Sequence, residues 1–265
     1  MTNKIFYFSG TGNALAIGQQ LSERLGDTEL VPMAATLQGY AGNDDERVGL
    51  VFPVYAWGLP RIVADFVRKL EVGADSYVFA VVTCAGTPGR TLRQLRKILR
   101  RYGSDLHAGF AVRGDHTIAL SQTTDMPIIQ LISWLGRKSV PAYASERLTE
   151  IADKISAKQL HTPEVSTSAV NAIGSMMHPM AMRVFPKGAK DYSVSDSCVS
   201  CGTCVRICPR ENVRLENGRP TWGQDCEMCY ACMAWCPQKA IAYRGGVPAD
   251  PAHHPGVELS EMVLR

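Results

Sequence analysis

The chain has 265 residues, 46% of them hydrophobic, with a formal charge of +3 and a pI near 8.4. That length and apolar content can bury more than one core, which excludes a largely disordered polypeptide. No apolar stretch reaches about eighteen residues, so no membrane span is expected, and the run Ile5-Phe6-Tyr7-Phe8 is too short for a secretory signal. A cytoplasmic location, with reduced thiols, is the expectation.

From residue 1 to about 160, short apolar runs alternate with amphipathic stretches, the pattern of a parallel sheet covered on both faces. Five strands are predicted: Lys4 to Phe8, Glu29 to Pro32, Val48 to Val54, Tyr77 to Thr83, and Ala108 to Val112. Helices are predicted to begin near Asn13, Pro60 and Pro88, with a last one from about Ser145 to Lys158. Pro60 suits a first helical turn, and Ile62, Val63, Phe66, Val67 and Leu70 then make one apolar stripe. The basic residues Arg90, Arg93, Arg96, Lys97, Arg100 and Arg101 alternate with leucines at helical spacing. This reads as a solvated helix face, and nucleic acid is not an expected partner.

Directly after the first strand comes Ser9-Gly10-Thr11-Gly12-Asn13, and a helix follows at once. Glycines allow close backbone approach, the hydroxyls donate, and the helix N-terminus adds unpaired amides, so this loop suits a single phosphate. It lacks both the lysine of a nucleoside-triphosphate loop and the Gly-x-Gly-x-x-Gly spacing of a dinucleotide fold. A mononucleotide held there would lie over neighbouring strand ends. The third strand ends in Pro53, Tyr55, Trp57 and Gly58, and the fourth in Thr83, Gly86 and Gly89. Together with the first loop these suit FMN, with Tyr55 and Trp57 either stacking on its ring or capping a core. Cys84, the one cysteine outside the arcs described below, reads as a buried small residue.

Residues 161–192 break the alternation and are expected to be a linker with one short apolar helix, its methionines at 176, 177, 180 and 182 packing one domain on another. In residues 193–247 the run Cys198-x-x-Cys201-x-x-Cys204-x-x-x-Cys208-Pro209 returns as Cys226-x-x-Cys229-x-x-Cys232-x-x-x-Cys236-Pro237. Each arc wraps three thiolates around a cuboidal [4Fe-4S] cluster, and the fourth cysteine serves the other cluster. One set is therefore Cys198, Cys201, Cys204 and Cys236, and the other Cys226, Cys229, Cys232 and Cys208. Two zinc knuckles would use Cys-x-x-Cys pairs, but they give no reason for a third cysteine in each arc or for the prolines. The tail, 248–265, carries His253 and His254 and is expected along the surface. With about two negative charges on each oxidised cluster, the loaded protein should be near neutral or acidic.

The Ser-Gly-Thr-Gly-Asn loop, the Pro-Val-Tyr run and the twin arcs, in this order, resemble the fusion ferredoxins in which a flavodoxin-like domain precedes a bacterial-type ferredoxin. The His-His-Pro-Gly run at 253–256 belongs to the same resemblance. It implies an α/β flavodoxin-like, doubly wound five-stranded parallel sheet over 1–160 that binds FMN, plus a small α+β bicluster ferredoxin domain. Two features differ from such relatives. Arg113-Gly114-Asp115-His116-Thr117 replaces their Met-Pro-x-Asn-Tyr run, and no tyrosine stands in the loop after the fourth strand.

The function these readings support is electron transfer between FMN and an external redox partner, either a protein or a small-molecule acceptor, through both clusters. Two rivals stand beside it. One is a flavin-dependent reductase of a small organic acceptor fed by its own ferredoxin domain, with His116 the first proton donor to test; the other is a flavin-free ferredoxin on a docking scaffold.

Overall fold

The computed structural model describes residues 3–42, 45–114, 145–247 and 252–264. Its main sheet comprises β1 (Asn3–Tyr7), β2 (Thr28–Pro32), β4 (Arg47–Pro53), β6 (Tyr77–Cys84) and β7 (Ala108–Arg113), all parallel, in the order β2-β1-β4-β6-β7. That is the flavodoxin-like order, with the chain switching direction between β1 and β4. Two short strands that the sequence pattern does not reveal, β3 (Tyr40–Gly42) and β5 (Leu70–Val72), pair with each other beside it.

Strand alternation sends neighbouring side chains to opposite faces. Ile5, Val51, Phe79, Val81 and Phe110 meet helices α1 (Asn13–Leu25) and α4 (Ser145–Ser156) through Ile17, Leu21, Leu148 and Ile151. Phe6, Leu50, Phe52, Ala80 and Val82 meet α2 (Arg61–Val67) and α3 (Thr91–Arg101) through Ile62, Phe66, Leu92 and Leu95. Within α3 the basic face is partly self-neutralised, because Arg96 and Arg100 both fork onto Asp105 at 2.7–3.0 Å.

The linker is more structured than expected. After Thr167 it forms α5 (Ser168–Val184), seventeen residues long, and then a 3-10 turn over Phe185–Asp191. Its methionines do not act together as packing residues: Met176 and Met180 are 68% and 62% exposed, while the buried face is made by Asn171 and Gly174. The reason is steric. Gly174 lets the helix approach the Trp57 side chain, which a larger residue would hold off.

The second unit joins β8 (Tyr192–Val194) to β11 (Ile241–Tyr243), and β9 (Val213–Glu216) to β10 (Arg219–Trp222), both antiparallel, with one-turn helices α6 (Thr203–Arg206) and α7 (Ala231–Ala234). Its core includes Ile207, Met228, Tyr230, Met233 and Trp235, and it also takes in Leu15 and Ala16 of α1. The tail is part of this core and not a surface strand. Val257 and Met262, the latter in α8 (Leu259–Met262), are 2% and 5% exposed, and the amides of His254 and Leu264 donate to Thr11 and Arg206 carbonyls. Among the described residues no helix is long and apolar enough to cross a membrane.

Candidate redox centre

All nine cysteines are free thiols. One cavity is lined by Cys198, Cys201, Cys204 and Cys236, with Val199, Leu215, Pro220 and Pro237 in its wall. The other is lined by Cys208, Cys226, Cys229 and Cys232, with Tyr192, Trp222, Glu227 and Tyr230. Among the described residues no three His, Cys, Asp or Glu side chains converge as a site for one ion; the eight thiols ring two cavities instead.

The internal repeat extends to the backbone. Ser200, Gly202 and Glu211 have φ of 56°, 74° and 52°, and their counterparts Met228, Tyr230 and Lys239 have 54°, 60° and 47°. Left-handed residues at these places curl each arc inward and aim amides at sulfur. Met228 N–H donates to the Cys226 Sγ at 3.3 Å, Asn212 N–H to Cys208 Sγ at 3.3 Å, and Ala240 N–H to Cys236 Sγ at 3.4 Å. Such bonds favour the charged thiolate. Burial acts the other way: it pushes the Cys204 and Cys226 thiols up to about 11, and those of Cys229 and Cys232 higher still. Iron must therefore displace protons from these sulfurs as a cluster assembles. At exposed Cys201 the Thr203 hydroxyl and amide bring the thiol down.

Two buried polar atoms fit the donor set of the second cavity. Among the described residues the Tyr192 hydroxyl and the Trp222 indole N–H are buried without a hydrogen-bond partner, yet both residues line that cavity. A sulfur-rich group there would satisfy both. The residues present thus fit two iron-sulfur clusters.

The cluster unit is locked to the sheet on the side of this second cavity. Arg210 bridges Glu227 and Asp65 at 2.8 Å each, Glu227 accepts the Ile62 amide at 3.1 Å, and Arg61 pairs with Asp225. Arg210 is therefore committed to carboxylates and is not a free positive charge beside a cluster. Glu227 is raised by burial, although Arg210 opposes this.

The glycine loop carries a second contact. Helix α1 starts after Gly12 at φ 90°, with no side-chain cap and no acidic residue in its first turn, which fits an anion at its amides. Asn13 donates to the Thr11 hydroxyl at 3.1 Å, Ser9 is half-buried, and Gly114 closes on Asn13. The loop's outer side is covered: Gly10 lies against the Cys229 carbonyl, the Trp235 indole N–H donates to Gly10 O at 2.9 Å, and Gly12 faces His254 and Trp235.

The other two loops are closed among the described residues. Tyr55 packs between Phe8 and Phe185, with ring centroids 5.9 and 6.3 Å away. Trp57 is pressed between Gly89 and Gly174, Gly58 lies under His178, and the Gly89 amide donates to Ser166 Oγ at 2.8 Å. Pro53 is held in the sheet opposite Thr83, whose carbonyl accepts the Val54 amide, and Gly86 is buried. Among the described residues, Tyr55 and Trp57 thus contact Phe8, Phe185, Gly89 and Gly174. Cys84 is 5% exposed, and burial pushes its thiol up to about 12. Asp115, His116 and Thr117 lie outside the described residues.

Residues 197–241 match the family model of the 4Fe-4S dicluster domain. No curated protein matches the chain. Among solved structures it is similar to a putative flavoprotein from Bacteroides uniformis (14% identity, 43% of this chain and 91% of that one, TM-score 0.35). It is similar also to a flavodoxin from the domain Archaea (12%, 58% and 99%, TM-score 0.31). A third is the rubredoxin oxygen:oxidoreductase of Desulfovibrio gigas (15%, 65% of this chain, TM-score 0.37), of whose length the match spans 36%. At these scores the three add nothing to the strand order already described. The chain joins a flavodoxin-like sheet to a 4Fe-4S dicluster domain.

Proposed function

We propose that the protein is an electron carrier in which two [4Fe-4S] clusters link FMN, seated by its phosphate on the loop from Ser9 to Asn13, to an external redox partner. The observation that carries this reading is the seat of Cys229 on Gly10: a cysteine of the second cavity touches the loop that fits a phosphate. Cys201 of the first cavity is exposed, which offers an external partner access to that end. FMN would supply exchange between paired and single electrons, and each cluster would pass one.

The chain's own part is to hold these groups. The four thiols of each cavity would bind iron as thiolates, the amides of Met228, Asn212 and Ala240 would favour the charged sulfurs, and Ile207 and Met233 would exclude water. Such ligands suit a reducing, cytoplasmic compartment.

A second reading, a flavin-free scaffold that docks the cluster domain, is favoured by one observation: the loops at 55–58 and 86–89 are closed beneath α5. Anaerobic purification followed by iron, sulfide and flavin quantitation separates the two. About eight irons with one FMN per chain supports the carrier, full iron without flavin supports the scaffold, and a zinc-loaded, colourless protein defeats both. A spectroelectrochemical titration then counts and orders the centres.

A further inference from the structure

Among the described residues the Tyr192 hydroxyl and the Trp222 indole N–H are buried without a partner, two of four such side-chain atoms. Unpaired buried donors are costly, so a pair of them in one cavity wall calls for an acceptor. The two rings stack, with centroids 5.0 Å apart and planes within 13°, and Tyr192 is further fixed by edge contacts with Tyr230 and Tyr243. Both face Cys208, Cys226, Cys229 and Cys232. Among the described residues the first cavity is lined by Val199, Leu215, Pro220, Pro237 and Ile241 with Ser200, Thr203 and Gln238, and by no aromatic side chain.

We infer that Tyr192 and Trp222 donate hydrogen bonds to sulfur of the second cluster and raise its reduction potential, a buried aromatic counterpart to the Thr203 hydroxyl that lies 3.4 Å from Cys201 Sγ in the first cavity. The chemistry follows from charge. Reduction adds one electron, and hence one negative charge, to a cluster; a donor aimed at its sulfur stabilises the reduced form more than the oxidised one. No bond forms or breaks and no proton leaves either ring. The inference rests on the proposed second cluster, but not on whether flavin is bound.

The test is an anaerobic redox titration of the intact, cluster-loaded protein, followed by electron paramagnetic resonance, on Tyr192→Phe and Trp222→Phe. Each variant removes one donor and keeps an apolar ring. Each is expected to make reduction of one centre about tenfold less favourable, a shift of about 59 mV to lower potential, and to leave the other centre unmoved. Cys229→Ser, which damages the second centre, identifies which signal that is. The iron–sulfur stretching bands in resonance Raman spectra should shift in the same variants, a change that a purely structural role would not produce. Unchanged potentials and bands in folded, fully loaded variants would overturn the inference, as would a shift confined to the first centre. Fewer than two centres in the unmodified protein would instead count against the proposed function itself.

Discussion

The carbonyl oxygen of Cys229 rests against the bare Cα of Gly10, so that a β-carbon at position 10 would overlap it. The obstruction is backbone on backbone, which no rotamer change relieves. Gly10→Ala should therefore destabilise the protein by about 1–3 kcal/mol, the usual scale of overpacking. For a chain of this size that lowers Tm by several degrees, and anaerobic thermal unfolding followed at both the helix and the cluster absorption measures it. An unshifted transition would show that the cluster unit does not seat on this loop in solution.

The ion pair of Glu227 and Arg210, with side chains 1% and 9% exposed, lies within the cluster unit and reaches the sheet unit through Asp65 and the Ile62 amide. Removing one partner leaves a buried charge, whereas removing both does not. Glu227→Met should cost about 3–5 kcal/mol, and the double variant with Arg210→Met should recover part of that loss. Denaturant unfolding of the four proteins in the cycle gives the coupling directly. Additive losses would place the two residues outside a shared network.

Carboxylates held charged by arginine resist protonation until low pH, and their contribution to stability is lost there. The guanidinium of Arg96, joined by that of Arg100, holds the Asp105 carboxyl well below its usual range. A depressed carboxylate contributes stability that is complete above its unfolded pKa, about 3.9, and lost as pH falls through the folded value. Asp105→Asn should thus lower stability at neutral pH and flatten the acid limb below about pH 4. The effect should be no more than about 1 kcal/mol, because all three side chains are at least a third exposed. Thermal melts from pH 2 to 7, at low and high salt, compare the two proteins.

The parallel sheet was legible because its buried strands are apolar runs whose lengths match their partners, and the grouping of eight cysteines around two cavities because their spacing is covalent chain geometry. Much of the candidate site was not. Gly202 marks a left-handed position in the first arc, but its counterpart is Tyr230, and Ser200, Met228, Glu211 and Lys239 share the conformation with no sequence signal. Tertiary packing imposes it on them. Tyr192 and Trp222 stand just outside the two arcs, on β8 and β10, and nothing in the cysteine spacing marks them as cavity residues. The glycines of the first loop suggested a phosphate alone; their contact with Cys229, Trp235 and His254 spans more than two hundred residues of sequence and no local pattern carries it. The tail misled for a related reason. Its prolines and histidines look solvated, and the apolar side chains that pin it, Ala252, Val257, Leu259 and Met262, are scattered without a periodic pattern.

Trp235 offers the sharpest check on that tail. Its indole N–H donates to Gly10 O, and its ring stacks on His253 at 3.8 Å with planes within 13°. Trp235→Phe keeps a ring for the stack but leaves a buried carbonyl without its donor, a loss of about 1–3 kcal/mol. The tail is also held by the His254 amide on Thr11 O and by Gln19 bonded to Glu261. The variant should therefore stay folded while the tail opens more often, because these remaining contacts do not depend on the indole. Hydrogen exchange at the amides of His254 and Val257 should speed up about tenfold or more, with little change in the strands β4 and β6. Uniform acceleration across the sheet would mean that Trp235 supports global stability and not the local seat of the tail on the glycine loop.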